Sequence, residues 1–186
     1  MVRLIPVDSA EAILPAYRGT PIDRLLRHHN LGQELPRTNG KPQLLISMCM
    51  DHRKVLLLPS EFAFVLRSAG GNLRDNEFDV SIAIAVGGVR SIAVVKHTDC
   101  LMSRVTGTRD AFIQGLVERG GWGADEAAAH FDSHAERYQI GEPVDFAGTE
   151  ADRLRRRYPG VQVAPLLYQV ENDRLVQIAG PDGGPR

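Results

Sequence analysis

Cysteine and histidine residues in two short segments carry the chemistry that this chain can perform. Residues 49–53 read CMDHR and residues 97–100 read HTDC. The second segment places a nitrogen and a sulfur ligand three residues apart, and the first segment adds another thiolate and a carboxylate. Two thiolates, one imidazole and one further position are a donor set that fits tetrahedral zinc (Zn2+). Three protein ligands with an open fourth position are typical of a catalytic zinc site.

Asp51 and Arg53 supply what a zinc hydrolase or hydratase needs besides the metal. Asp51 lies two residues from Cys49, near enough to approach the fourth position of the metal. Arg53 can hold that carboxylate in a bidentate, charge-assisted ion pair. While it is paired, Asp51 stays ionised and can accept a hydrogen bond from a zinc-bound hydroxide, which orients the hydroxide toward an electrophile. If the pair breaks, Asp51 can bind the zinc itself and close the site.

The elements before these two segments predict that the segments lie together. Residues 43–48 and 91–96 are continuous apolar runs, typical of strands that are buried in a sheet. Cys49 comes directly after the first run, and Cys100 follows shortly after the second. The carboxyl ends of strands in an open parallel sheet meet at one edge, where ligands bind. We therefore expect both cysteines at that edge.

The rest of the chain alternates apolar runs with amphipathic stretches, a pattern that predicts an α/β fold. We expect a mostly parallel sheet of about five strands flanked by helices, with further strands at residues 62–66, 161–168 and 174–178. Two more helices are expected within residues 109–138. Residues 1–186 are expected to form a single zinc-binding domain, with an N-terminal helical arm over about 9–32 and a core over about 43–180.

Capping signals predict where three of the helices begin. Thr20 can cap the first helix. Asp75 can cap a second, whose apolar residues follow the 3.6-residue period at Phe78, Ile82, Ala85 and Val86. Thr149 with Asp152 forms a capping box that predicts the start of a third.

The composition excludes several classes of protein. Lys and Arg total 22 and Asp and Glu total 23, so the formal net charge is -1. That balance argues against a protein that binds nucleic acid or an anionic membrane through bulk electrostatics. No run of apolar residues is long enough for a transmembrane span, and residues 1–8 lack the apolar core of a signal peptide. With only two cysteines, we expect a reduced, cytoplasmic setting in which the thiols serve a metal or catalysis.

Together, the two segments resemble the metal-binding motifs of the beta-class carbonic anhydrases. The resemblance rests on residues 67–72 (RSAGGN), similar to the family's RNAGN turn, and on Cys49, Asp51, Arg53, His97 and Cys100. It implies reversible hydration of CO2 to bicarbonate, with zinc held by Cys49, His97 and Cys100. The Asp51–Arg53 dyad would control access to the fourth coordination position of the zinc. The family's fold is a four-stranded parallel core with an antiparallel edge strand. A homodimer or a multiple of dimers is also implied, with the active site at the dimer interface.

The sequence departs from the family pattern beside the predicted ligands. Leu101 follows Cys100 where the family usually has Gly. Lys96 precedes His97 where a small residue or His is common, and the turn has Ser68 for Asn and an extra Gly. By this resemblance, these positions would line or support the substrate pocket, so the identity of the substrate stays open. The alternatives are hydrolysis of carbonyl sulfide or carbon disulfide on the same zinc site, or a catalytically silent zinc-binding member of the family.

Three of the five histidines outside the predicted ligand set have a spacing or position that suggests chemistry. His130 and His134 stand four residues apart, a spacing that can bind metal on a helix. No Glu completes a known motif around them, so we expect a solvated helix face. His52 lies inside the first motif, where it is expected to be an exposed loop residue, with proton relay as the alternative.

Overall fold

One six-stranded sheet organises the protein. The structure, a computed structural model, describes residues 2–35, 38–59, 61–181 and 183–186. The strands are β1 (Arg3–Ile5), β2 (Leu44–Cys49), β3 (Ala63–Ser68), β4 (Ser91–His97), β5 (Gln162–Gln169) and β6 (Arg174–Ala179). The helices are α1 (Pro21–Leu31), α2 (Glu77–Ala85), α3 (Arg109–Gly120), α4 (Ala124–Tyr138) and α5 (Pro143–Arg157). Within the described ranges, none of these helices combines the length and apolar character needed to cross a membrane.

The strand order is β1-β6-β5-β4-β2-β3. Strands β3, β2, β4 and β5 are parallel, β6 is antiparallel to β5, and β1 is antiparallel to β6. The expected α/β fold with a mostly parallel sheet is therefore confirmed, and β1 is an addition to the expected set of strands. Strand β1 has only three residues, which are exposed or half-buried, so it carries no apolar run that a sequence pattern would reveal.

Helices cover both faces of the sheet because successive side chains of a strand point to opposite sides. On one face, Ile46 and Val95 pack in a core formed with α1 and the segment before it. On the other face, Leu45 and Val94 pack with residues of α2 and α5. Strands β2 and β4 are buried on both sides, which is why their sequences are continuously apolar.

Helix α1 begins and ends as its sequence predicts. The Thr20 hydroxyl accepts a hydrogen bond from the backbone N–H of Ile22 at 3.2 Å. Gly32 ends the helix in the left-handed region, at a φ of 67°. Helices α3 and α4 also form as expected, and Gly121 between them has a φ of 72°.

The expected cap of α2 is wrong. The helix begins at Glu77 after Asn76, and the Asp75 carboxylate accepts hydrogen bonds from Arg137 and Tyr138 of α4 instead. The residues of α2 that are buried are Val80 and Ala83. The apolar stripe is exposed: Phe78, Ile82, Ala85 and Val86.

The capping box predicted at Thr149 and Asp152 is also wrong, because Thr149 lies inside α5. The helix begins at Pro143, whose fixed φ suits the first helical turn. The Glu142 carboxylate caps it by accepting hydrogen bonds from the backbone N–H groups of Val144 and Asp145, at 2.7 and 3.1 Å. The Glu-Pro pair at the true start is a weaker sequence signal than Thr-x-x-Asp.

Candidate metal centre

Cys49, His97 and Cys100 meet at the carboxyl ends of two neighbouring parallel strands. Cys49 is the last residue of β2 and His97 is the last residue of β4. Met48 pairs with Val95 across the two strands, so both chains leave the sheet side by side. The Sγ atoms of the cysteines and a ring nitrogen of His97 all lie within 4.8 Å of one another, and the three residues are buried.

The ring of His97 is oriented for metal binding. Its Nδ1 atom lies 2.8 Å from the carbonyl oxygen of Thr98, an arrangement in which Nδ1–H donates. Its Nε2 atom is buried and has no hydrogen-bond partner among the described residues. A histidine ligand is commonly fixed by such a bond from its other nitrogen. The unpartnered Nε2 is therefore available as a ligand, and the site fits a metal ion.

The two thiols interact strongly with each other. A hydrogen bond from the Cys100 thiol lowers the pKa of Cys49. The same contact, with burial, raises the pKa of Cys100. Without a cation the pair therefore retains one proton, whereas a bound divalent ion stabilises both thiolates. Two thiolates and an imidazole are donors that zinc accepts.

Asp51 and Arg53 form a closely matched ion pair beside this cluster. Arg53 donates from Nη2 to Oδ2 of Asp51 at 2.8 Å and from Nε to Oδ1 at 3.1 Å. Hydrogen bonds from Arg53 hold the pKa of the Asp51 carboxyl well below its usual range. The Oδ2 atom of Asp51 also lies 4.0 Å from Nε2 of His97, so the carboxylate borders the candidate metal position.

Asp99 is a further member of this site that sequence reasoning missed. Arg53 donates from Nη1 to Oδ2 of Asp99 at 2.8 Å and from Nη2 to its carbonyl oxygen at 2.9 Å. Asp99 has a φ of 52°, in the left-handed region that Asp tolerates better than most residues. Arg53 thus ties the loop after β2 to the loop after β4. The only sequence signal was the place of Asp99 in the HTDC segment.

Solved structures show which fold this is. No family model matches the chain, and no curated protein matches it. A carbonic anhydrase from Glaciozyma antarctica is similar, with 26% identity over 87% of this chain and 97% of that chain and a TM-score of 0.60. A beta-carbonic anhydrase, isoform I, from Trichomonas vaginalis has 20% identity over 79% and 88% of the two chains and a TM-score of 0.63. The chain has the fold of the beta-class carbonic anhydrases. A carbon disulfide hydrolase is also similar, at 23% identity over 83% and 84% of the chains, with a TM-score of 0.53.

Within this beta-carbonic-anhydrase fold, an apolar cover lies on the two thiols. We use the term apolar cover for Met102, Ile140 and Phe146, which pack against Cys49 and Cys100. The backbone N–H of Ile140 donates to the carbonyl oxygen of Met102 at 2.9 Å, which joins the chain after α4 to the turn after Cys100. The residues around the candidate metal position are therefore apolar on this side and charged on the side of Asp51 and Arg53.

Two lysines near the thiols are buried, which the sequence did not predict. Lys54 is 2% exposed and Lys96 is 1% exposed. Burial lowers the pKa of both, that of Lys96 to about 8, while the charges of the nearby thiolates and carboxylates oppose this shift. Lys54 donates to the carbonyl oxygen of Asp51 at 3.3 Å.

The other histidines lie apart from the cluster. His52 is exposed, as expected for a loop residue. The rings of His130 and His134 are exposed on α4 with their centroids 4.5 Å apart. In the part of the chain that the structure describes, no group of three or more possible ligands besides Cys49, His97 and Cys100 is close enough to share a metal ion.

Proposed function

We propose that this chain is a zinc-dependent enzyme that reversibly hydrates CO2 to bicarbonate. One observation carries the proposal. Two thiols and an unpartnered imidazole nitrogen lie within 4.8 Å of one another, beside a carboxylate that a guanidinium group holds in place. In this proposal Cys49, His97 and Cys100 bind the zinc. When bound, zinc supplies a Lewis acid that lowers the pKa of a water molecule to near neutrality.

Asp51 acts in this proposal as a hydrogen-bond acceptor that orients the nucleophile. Arg53 engages both of its carboxylate oxygens, which keeps the carboxylate ionised and in one position. Because the pKa of Asp51 lies well below its usual range, the group does not take up a proton at neutral pH. Its role is therefore orientation, and the proton of each turnover leaves by another route.

Arg53 acts as the group that keeps Asp51 away from the fourth metal position. It is held from two sides, since it pairs with Asp51 and with Asp99. Loss of the guanidinium group would free a carboxylate that already lies 4.0 Å from Nε2 of His97. Asp51 would then bind the metal and close the site.

The runner-up proposal is hydrolysis of carbonyl sulfide or carbon disulfide on the same residues. The packing of Met102 and Ile140 against the thiols supports it as much as it supports CO2 hydration, because an apolar cover suits any small, uncharged linear substrate. A third proposal is a zinc protein without catalysis.

We also propose that the chain works as a homodimer, or as a multiple of dimers, that uses the α2–β3 patch. This patch consists of Phe64, Phe78, Ile82 and Val86. Phe78 and Val86 are 76% and 79% exposed, and Phe64 is 41% exposed. An exposed apolar surface next to a sheet edge is a feature that soluble proteins usually cover.

The patch joins β3 to the end of α2, and β3 also reaches the loop of the candidate site through Arg67. The Phe64 ring lies against Gly87, where a Cβ atom would stand 2.5 Å from the ring, so β3 and the end of α2 form one surface. Arg67 of β3 donates to the carbonyl oxygen of Lys54 at 3.4 Å, in the loop that carries Asp51. A second copy on this patch would stand beside that loop, which agrees with the interface site implied by the resemblance.

Stopped-flow hydration of CO2, with zinc content measured on the same sample, tests the proposed function. One zinc per chain and rapid hydration are expected. Carbonyl sulfide and carbon disulfide are assayed in parallel, and turnover of these alone would favour the runner-up. One zinc per chain with no turnover of any of the three would leave only the zinc protein without catalysis.

A further inference from the structure

Lys96 precedes His97 on β4, and its ammonium group is buried against a backbone turn. The Nζ atom donates to the carbonyl oxygen of Gly70 at 3.1 Å and to that of Gly71 at 2.5 Å. It also lies 5.0 Å from the centre of the Phe146 ring, a cation–π distance. A buried ammonium group needs such partners, because burial without them is strongly unfavourable. Its partners here are mainly two consecutive carbonyl groups of one turn.

That turn, Ala69–Gly71, lies between the ligand strand and the apolar cover. At Gly71 an added Cβ atom would stand 2.9 Å from Nζ of Lys96 and 3.0 Å from the carbonyl carbon of Met48. At Gly70 it would stand 2.8 Å from Cγ2 of Ile140 and 3.2 Å from Cβ of Met102. Both glycines have a positive φ, of 65° and 64°. Only glycine fits this turn, which touches β2 on one side and the cover on the other.

We infer that Lys96 is a positioning residue whose ammonium group fixes the Ala69–Gly71 turn and thereby keeps the apolar cover packed over the thiols of Cys49 and Cys100. The inference rests on the proposed function for its effect on catalysis. The contact itself belongs to the protein alone, so the protein without metal also shows it.

The Gly70 carbonyl group of the turn depends on this one side chain. Ser47 donates from Oγ to the Gly71 oxygen at 2.9 Å, which leaves the Gly70 oxygen with Lys96 as its side-chain donor in the described structure. A buried carbonyl that loses its partner is unfavourable by ~1–3 kcal/mol, so the turn must shift toward water to recover one. Ile140 and Met102 rest on Gly70, and a shift of the turn therefore opens the cover.

The test is the alkylation rate of the two thiols in the metal-free protein, read by mass spectrometry after iodoacetamide treatment. The chain has only two cysteines, so every label reports on this site. Lys96→Met keeps the aliphatic bulk and removes the donors. We expect its alkylation rate to rise about tenfold, which corresponds to ~1.4 kcal/mol of lost local stabilisation. Loss of a nearby positive charge would by itself reduce the thiolate fraction and slow alkylation, so a rise reports access.

A second variant and a matched control separate positioning from general stability. Gly71→Ala displaces the turn while the ammonium group remains, and it should raise alkylation by a similar factor. The double variant should then show little further rise, because both changes act through one turn. Val94→Ala is the control. Val94 lies two residues before Lys96 on β4, on the same face of the sheet, and its replacement by alanine lowers stability by creating a cavity.

The inference stands if both variants raise alkylation while Val94→Ala, at an equal loss of melting temperature, does not. It is overturned if Val94→Ala raises alkylation equally, or if Lys96→Met leaves the rate unchanged. If Lys96→Met fails to fold, an unchanged rate in Gly71→Ala overturns it and a raised rate supports it. In the zinc-loaded protein, Lys96→Met should lower kcat/KM with zinc content unchanged. A wild-type protein that hydrates no CO2 would refute the proposed function and leave the alkylation result standing.

Discussion

Arg53 donates hydrogen bonds to both carboxylate oxygens of Asp51 and, from the same guanidinium group, to the side chain and backbone of Asp99. These bonds hold Oδ2 of Asp51 at 4.0 Å from Nε2 of His97. They also keep the carboxylate from rotating toward the two thiols. The loops after β2 and β4 are joined at one point, and that point is the guanidinium group.

Replacement of Arg53 by alanine should abolish catalysis and retain the metal. Asp51 is then free to bind the zinc, so we expect CO2 hydration to fall at least about a hundredfold, as for the loss of a positioned catalytic group. Zinc content and stopped-flow rates are measured on the same sample. Arg109→Ala is the matched control, because Arg109 makes a similar bidentate pair with Asp132 on the distant helices. Full activity in Arg53→Ala would refute the role of the dyad.

Cys49→Ser should lose zinc and lose stability. Cys49 is the last residue of β2, His97 is the last residue of β4, and Cys100 lies in the loop after β4. A bound metal therefore joins two strands, and its binding energy adds to the free energy of unfolding. We expect the melting temperature of the wild type, but not of the variant, to fall on treatment with a chelator. Unchanged zinc content in the variant would mean that the metal binds elsewhere.

The ion pair of Asp51 should stabilise the fold only above acid pH. Its pKa in the folded protein is depressed by Arg53, so the stabilisation is fully present above the unfolded value of ~3.9 and is lost as the pH falls through the lower folded value. Urea unfolding of the metal-free wild type and Asp51→Asn gives the difference in stability. We expect that difference to hold from pH 7 to about pH 5 and to shrink as the pH falls further to 3. A difference that stays constant over this range would show that the charge of Asp51 contributes nothing.

Phe78→Asp should weaken the proposed dimer. A charge in the centre of the α2–β3 patch would be buried without a partner, so we expect the dissociation constant to rise at least about tenfold. Light scattering after size-exclusion chromatography measures the mass over a range of concentrations. Val117→Asp is the control, since Val117 is an exposed apolar residue of α3, outside the patch. A wild type that is monomeric at every concentration would contradict the proposed dimer.

Much of the candidate site could be predicted because its residues lie at, or just after, the ends of two strands in the sequence. Cys49 and Cys100 each follow a continuously apolar run, and such runs are buried parallel strands whose ends meet. The apolar runs that become β2 and β4 are therefore enough to predict that the two segments lie side by side. The fold class follows from the same alternation of apolar runs and amphipathic stretches.

The features that sequence reasoning missed depend on contacts between distant segments. The burial of Lys96 requires the carbonyl groups of Gly70 and Gly71, and its charge alone suggests an exposed residue. Asp99 joins the site only because Arg53 reaches it from another loop. The apolar stripe of α2 has helical spacing whether it faces a core or a second chain, so its period predicted the helix correctly but could not show that Phe78 is exposed.

X-ray absorption at the zinc K-edge tests the central claim most directly. The wild-type chain is loaded with one equivalent of zinc, and the first coordination shell is fitted for sulfur and for nitrogen or oxygen neighbours. We predict two sulfur neighbours, with one imidazole nitrogen and one further light atom, in the wild type, and one sulfur neighbour in Cys100→Ser. A shell without sulfur, or one that is unchanged in Cys100→Ser, would contradict a zinc site built from Cys49, His97 and Cys100.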